Sequence, residues 1–265
     1  MISNRESAQK LVRKILAADL ACEESDFDKE GIAFCVAKEL EGARRFPLPE
    51  KFLAVVTMGR GVVVSCSADR LHWARTNLKS RSPEALFHAL AIARMEKYVA
   101  RDHQTMFGPE LKYICTQDSL RPYHLHGEVA INLIQEENIK RLYGNNLFPN
   151  ALGRRYDPQR PRLLGCSAKH DGVTVGLATA SADSDSMWQV GIDILPDYRG
   201  RGIGKALVSQ LTEALFKIEK LPYYSTAISN ISSRRTAISV GYRPAWVEIF
   251  SQERSEVYLG EQRSG

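Results

Sequence analysis

One stretch, Trp188 to Leu207, constrains this 265-residue chain more than any other. The apolar run Trp188–Leu195 puts Val190, Ile192 and Ile194 on one face of a strand. Pro196 ends the strand and Asp197-Tyr198 make a turn. Arg199-Gly200-Arg201-Gly202-Ile203-Gly204-Lys205 follows, and Ile203, Leu207, Leu211, Leu215 and Ile218 then recur at helical spacing. Glycines at the mouth of a helix let a ligand touch backbone. The first-turn N–H groups there have no helical partner, and the helix dipole favours an anion. Arg199, Arg201 and Lys205 add positive charge. The expected ligand is a phosphate or diphosphate.

Two common phosphate loops fail on spacing. A Walker loop, GxxxxGK[ST], meets Arg199 where its first glycine belongs and Ala206 where a magnesium-holding hydroxyl belongs. A dinucleotide loop, GxGxxG, meets Lys205 or Leu207 at its third glycine. The pattern that fits is [RQ]xxGx[GA], carried by Arg199, Gly202 and Gly204. With Leu195-Pro196-Asp197-Tyr198 before it, the stretch resembles motif A of the GNAT N-acetyltransferase superfamily. Asn230 follows a second apolar strand, and Gly241-Tyr242 come eleven and twelve residues later. That order resembles the superfamily's Asn-to-Gly-aromatic segment. The resemblance covers Glu128–Phe250.

The resemblance implies an α/β (α+β) fold, a GNAT-like mixed, splayed β-sheet flanked by helices. It is expected at residues 121–265, with an additional N-terminal α+β domain at residues 1–120. It implies acetyl-CoA as co-substrate and no metal. Main-chain groups of Ile192, Asp193 and Ile194 would pair with the pantetheine arm. Amides of Arg199, Gly200, Arg201, Gly202, Ile203, Gly204 and Lys205 would bind the diphosphate. Asn230 and Ser233 would stand beside the pantetheine. The implied activity is a cytoplasmic acyltransferase moving an acetyl group directly to a primary amine of a small or amino-acid-like acceptor. Two alternatives stay open: a non-catalytic acyl-CoA-binding or regulatory protein, and an acetyltransferase for protein N-termini or lysines.

Catalytic groups are where the sequence departs from the pattern. Acetyl transfer from a thioester needs placement, a neutral amine and a polarised carbonyl. Many relatives carry Tyr seven residues after the Asn; here Ala237 stands there, preceded by Thr236. Branches resembling ribosomal-protein alanine acetyltransferases carry Ser three after the Asn, which is Ser233 here. Ser233 is therefore the expected donor to the leaving thiolate. The Glu found early in the central strand of relatives corresponds to Trp188. Asp193 is the candidate base, because an Asp in a buried strand is unusual unless paired or functional; pairing with a nearby Arg or facing solvent are the alternatives. Asp183, Asp185 and Glu248 are further candidates. Arg234 and Arg235 are placed to approach cofactor phosphates, or lie on an exposed helix face.

Net charge is +5 and no run of four Lys/Arg occurs, so nucleic acid is not an expected partner. No segment reaches membrane-spanning length. The partner is expected to be a small-molecule amine, and a homodimer is left open. Five scattered cysteines without a CxxC argue for reduced thiols rather than zinc or a redox pair. His124 and His126 read as linker residues.

Elsewhere, residues 5–20 read as an amphipathic helix, and Gly31–Val36, Phe52–Met58 and Val62–Cys66 as strands. Ser82-Pro83-Glu84 opens a helix to Ala100, and Phe107-Gly108-Pro109 ends that region. Leu111–Cys115 is a short strand. Glu128–Ile134 is a strand, Gln135–Tyr143 a helix and Gly144–Gly153 a loop, which the resemblance implies shapes the acceptor pocket. Two strands flank His170-Asp171-Gly172 as a hairpin. The last clear strand is Pro244–Phe250, and the polar tail from Ser251 is expected to be irregular.

Overall fold

The computed structural model describes residues 4–79, 82–144 and 146–254. In chain order the elements are α1 (Arg5–Leu20), β1 (Gly31–Val36), β2 (Leu53–Thr57), β3 (Gly61–Cys66), α2 (Leu71–Asn77), α3 (Ala89–Val99), β4 (Gln104–Ile114), β5 (Ala130–Gln135), α4 (Glu136–Lys140), α5 (Pro149–Leu152), β6 (Arg162–His170), β7 (Val173–Ser181), β8 (Met187–Ile194), α6 (Ile203–Lys217), β9 (Leu221–Ala227), α7 (Ile231–Val240) and β10 (Arg243–Glu253). They fall into two units, Met1–Leu11 with Lys112–Pro244 and Val12–Leu111 with Ala245–Gly265. Each unit draws on both ends of the chain.

In the unit built on Val12–Leu111, β1 runs parallel to β3, and β3 runs antiparallel to β2 through the Gly59-Arg60-Gly61 turn. β2 pairs antiparallel with Val247–Phe250 of β10. Leu53, Val55, Val62 and Val64 pack with Met95, Val99 and Ile249 as the core. The helix expected over residues 83–100 is instead a 3-10 turn, Pro83–Phe87, and α3, parted by His88 in extended conformation (φ −83°, ψ 154°). Leu86 and Met95 would point to opposite sides of one continuous helix. The break lets both enter the core. Phe107-Gly108-Pro109 lies inside β4 rather than ending a region. A Cβ at Gly108 would stand 2.7 Å from the Glu248 carbonyl oxygen, so the glycine marks a close backbone approach. β10 continues to Glu253, past the expected end at Phe250. The rest of the expected irregular tail, 255–265, lies outside the described residues.

In the unit built on Lys112–Pro244, the sheet order is β9-β8-β7-β6-β5. Antiparallel pairing joins β5 to β6, β6 to β7 and β7 to β8, while β8 and β9 run parallel. The β6–β7 hairpin turns at Asp171 (φ 47°) and Gly172 (φ 78°), the left-handed pair that an Asp-Gly turn supplies. Alternation along β7 sorts the two faces. Gly176 looks toward Ile203 and Leu207 of α6. Leu177 packs with Ile139, Phe148, Ala151 and Leu152, so α4 and α5 cover the opposite face. α5 falls inside the stretch expected to be a loop. Four residues are too few to show a helical period, although Pro149 takes the first-turn position that favours proline.

α6 holds its place through Ile203, Leu207, Leu211 and Leu215, all buried. Leu207→Ala removes a side chain with no exposed surface. It is expected to cost about 3 kcal/mol of unfolding free energy, read as a lower midpoint in urea.

Candidate active site

The parallel register of β8 with β9 runs from Met187/Leu221 to Val190/Tyr224 and stops there. β8 continues beside β7 as far as Ile194, and β9 continues to Ala227. The two strands therefore part company at Gly191. The N–H of Leu195 donates to the Val175 carbonyl at 2.9 Å, which turns Leu195 toward β7. Strand alternation then turns Gly191 and Asp193 the same way and leaves the N–H and C=O of Ile192 and Ile194 facing the gap. Of the three main-chain positions expected on the cofactor edge, Ile192 and Ile194 face it and Asp193 faces β7. Arg199 Nε donates to the Ile194 carbonyl at 3.1 Å.

The glycine loop opens at the same end. Gly202 caps α6 with φ 80°, a left-handed backbone that a larger residue adopts only under strain. Ala206 is the first residue of the helix whose N–H pairs, with the Gly202 carbonyl at 3.1 Å. The amides before it are the free donors of the helix end. Gly204 faces Ile192, Ile194 and Thr236, and a Cβ there would meet only ordinary contacts of 3.6–3.8 Å. Ile203 is buried, so it offers the loop its amide and not its side chain. Arg199, Arg201 and Lys205 are exposed around it, with Arg201 over the Tyr198 ring.

Asn230 and Ser233 come together at the start of α7. Asn230 Oδ1 accepts the Ser233 N–H at 3.0 Å, a helix cap. Ser233 Oγ lies 2.8 Å from the hydroxyl of Tyr224, the last β9 residue paired with β8. Burial pushes that phenol up to about 12, so Tyr224 stays a neutral hydroxyl across ordinary pH. Arg234 is turned to the Tyr113 hydroxyl and the Ile228 carbonyl, at 3.0 and 3.2 Å.

The carboxylates of Asp193, Asp183 and Glu248 are each engaged in hydrogen bonds. Asp193 accepts from Asn150 N at 2.7 Å, Asn150 Nδ2 at 2.6 Å and Ala151 N at 2.8 Å. Burial pushes its carboxyl up, and those donors oppose the rise. Asp193 thus ties α5 to β8. Gly191 completes the fit, since a Cβ there would stand 2.2 Å from the Asn150 carbonyl oxygen. Asp183 has no exposed surface and accepts from Ser181 Oγ and the Tyr223 hydroxyl. Asp185 is exposed, with its carbonyl accepting from Lys220. Glu248 belongs to the other unit, where Arg44 and Trp246 Nε1 donate to it at 3.0 and 2.8 Å.

The stretch that carries this open strand edge and glycine-rich helix mouth matches a known family. Residues 133–242 match the model of the acetyltransferase (GNAT) family. Residues 133–242 are a GNAT acetyltransferase domain. None of the curated proteins matches the sequence. Among solved structures, a GCN5-related N-acetyltransferase-like protein from Streptococcus suis is 19% identical, over 60% of this chain and 67% of its own, with a TM-score of 0.45. A Drosophila protein is 10% identical over 94% of this chain and 90% of its own, with a TM-score of 0.46. An aminoglycoside N-acetyltransferase in complex with CoA is 22% identical over 48% of this chain and 93% of its own, with a TM-score of 0.35.

Two features of the GNAT domain were not read from sequence. Tyr224 belongs to no sequence motif, and its hydroxyl's approach to Ser233 depends on where α7 lands. The short α5 left no periodic signal. No helix among the described residues is long and apolar enough to cross a membrane.

Asp193→Ala strips the acceptor from three N–H groups on α5. It is expected to cost about 2 kcal/mol and to speed hydrogen exchange at Asn150 and Ala151 more than elsewhere. Protection unchanged at those two amides counts against the tether.

Proposed function

We propose that the GNAT domain is an acyl-CoA-dependent N-acyltransferase that moves an acetyl group from acetyl-CoA to a primary amine of a small-molecule or amino-acid-like acceptor, by direct transfer. The observation that carries this reading is the open edge at Ile192 and Ile194 beside the Gly200–Lys205 loop. The edge fits an extended chain with amides, and the loop fits a diphosphate. When bound, acetyl-CoA supplies the activated acyl group. Main-chain groups of Ile192 and Ile194 align its arm, and one of their N–H groups polarises the thioester carbonyl. Amides of residues 200–205 hold the diphosphate, with Arg199, Arg201 and Lys205 balancing its charge. Asn230 and Ser233 form the opposite wall.

The new C–N bond forms as the C–S bond breaks. The amine proton leaves to water, because both Asp193 oxygens already accept N–H groups. Asp193 positions α5, the wall on the acceptor face. Ser233 donates a hydrogen bond to the departing sulfur, backed by Tyr224. A thiol titrates near about 8.5, well below a phenol held up to about 12. Full proton transfer from Tyr224 is therefore uphill, and the hydroxyl pair stabilises the thiolate rather than protonating it. Five free thiols support a reducing, cytoplasmic setting.

The reading is tested by calorimetric titration with CoA and by thiol release from acetyl-CoA over a panel of amines. Binding with turnover on at least one small amine is expected. Binding with no amine accepted at any pH assigns the domain a non-catalytic role, and absence of binding overturns the reading. Ser233→Ala is expected to lower kcat about tenfold with the CoA affinity nearly kept. Tyr224→Phe is expected to lower kcat evenly from pH 6 to 10, since a phenol held up to about 12 does not titrate in that range. A pKa of the rate profile that disappears in Tyr224→Phe would contradict the assignment.

A further inference from the structure

Tyr123 lies outside the residues matched to the family, in the stretch that read as a linker. Its main-chain N–H donates to Ser209 Oγ at 2.9 Å, and Ser209 is wholly buried in α6. That bond fixes where the tyrosine starts. The side chain then runs toward the mouth of the helix. Lys205 Nζ stands 5.8 Å from the ring centroid. A Cβ at Gly202 would come within 2.5 Å of the phenol oxygen. The glycine at 202 therefore answers two demands, a left-handed backbone and room for this hydroxyl.

The hydroxyl lies beside Gly202 at the mouth of α6 and has no hydrogen-bond partner among the described residues. Tyr123 keeps 37% of its surface exposed, so the group is open to an incoming ligand. A buried tyrosine held only for packing would hide its ring and satisfy its O–H; this one does neither. A phenol is neutral at ordinary pH and adds a donor where Lys205 adds charge. Each diphosphate oxygen accepts more than one hydrogen bond, so a donor beyond the loop amides still finds an acceptor there.

We propose that Tyr123 is a further cofactor-binding residue, its hydroxyl donating to a phosphate oxygen seated on the Gly200–Lys205 loop. The inference rests on the reading of that loop as the diphosphate site of an acyl-CoA. It brings a segment before the GNAT domain's first strand into the cofactor site.

The test compares wild type with Tyr123→Phe, which removes one oxygen and keeps the ring. Each is titrated with CoA and with pantetheine, which carries no phosphate. Wild type that binds no CoA sinks the underlying reading and not this assignment. With wild-type binding in hand, Tyr123→Phe is expected to bind CoA about tenfold more weakly, with pantetheine unaffected. Ser209→Ala, which frees the tyrosine's anchor, is expected to weaken CoA in the same selective way. An unchanged CoA affinity in Tyr123→Phe overturns the proposal. So does equal weakening for CoA and pantetheine, which marks a fold defect, or tighter CoA binding, which marks the hydroxyl as an obstruction.

Discussion

The parallel ladder between β8 and β9 ends at Val190 and Tyr224, although both strands go on. Main-chain groups inside a sheet are normally paired, because an unpaired buried amide costs about as much as a lost hydrogen bond. Here Arg199 meets part of the cost by reaching back to donate to the Ile194 carbonyl. The open edge is thus the point from which the surrounding chemistry takes its geometry. The helix mouth at Gly202 sits where the strand ends, because only a short 3-10 turn separates them. Ser233 reaches the Tyr224 hydroxyl, at the last paired position of β9, because α7 starts directly after that strand.

How much of this was legible beforehand depended on whether the determinant was local. The glycine loop, the apolar strand before it and the amphipathic helix after it are set by neighbouring residues, and all three were readable. The β6–β7 hairpin was readable for the same reason, since Asp171-Gly172 specifies its own turn. The break at His88 was not, because it serves a core to which Leu86 and Met95 both contribute. Nor was the role of Asp193. An acid on an apolar strand stands out in a sequence, but its partners, Asn150 and Ala151, are fixed by the fold. The same pattern that suggests a proton acceptor also suits a clamp, and only the three donors distinguish them.

A second set of polar groups is joined in the same part of the GNAT domain. Tyr223 on β9 donates to Asp183, and its oxygen lies 2.9 Å from Gln189 Oε1 on β8. Arg162 reaches the Leu152 carbonyl at 2.7 Å and Thr179 Oγ1 at 3.1 Å. Buried polar groups joined in this way hold a surface rigid, provided each member is satisfied. The face opposite α6 is therefore a stiff platform, whereas the other face is fixed by the apolar packing of α6.

Most of what fastens α5 to that platform is main chain on its side. Asp193 takes the amides of Asn150 and Ala151, Thr179 donates to the Ala151 carbonyl, and Arg162 and Tyr143 donate to the Leu152 carbonyl. Main-chain anchors are indifferent to the side chain carried beyond Cβ. Descendants of this chain are thus able to vary the outward residues of the segment without unlatching it from the strands behind.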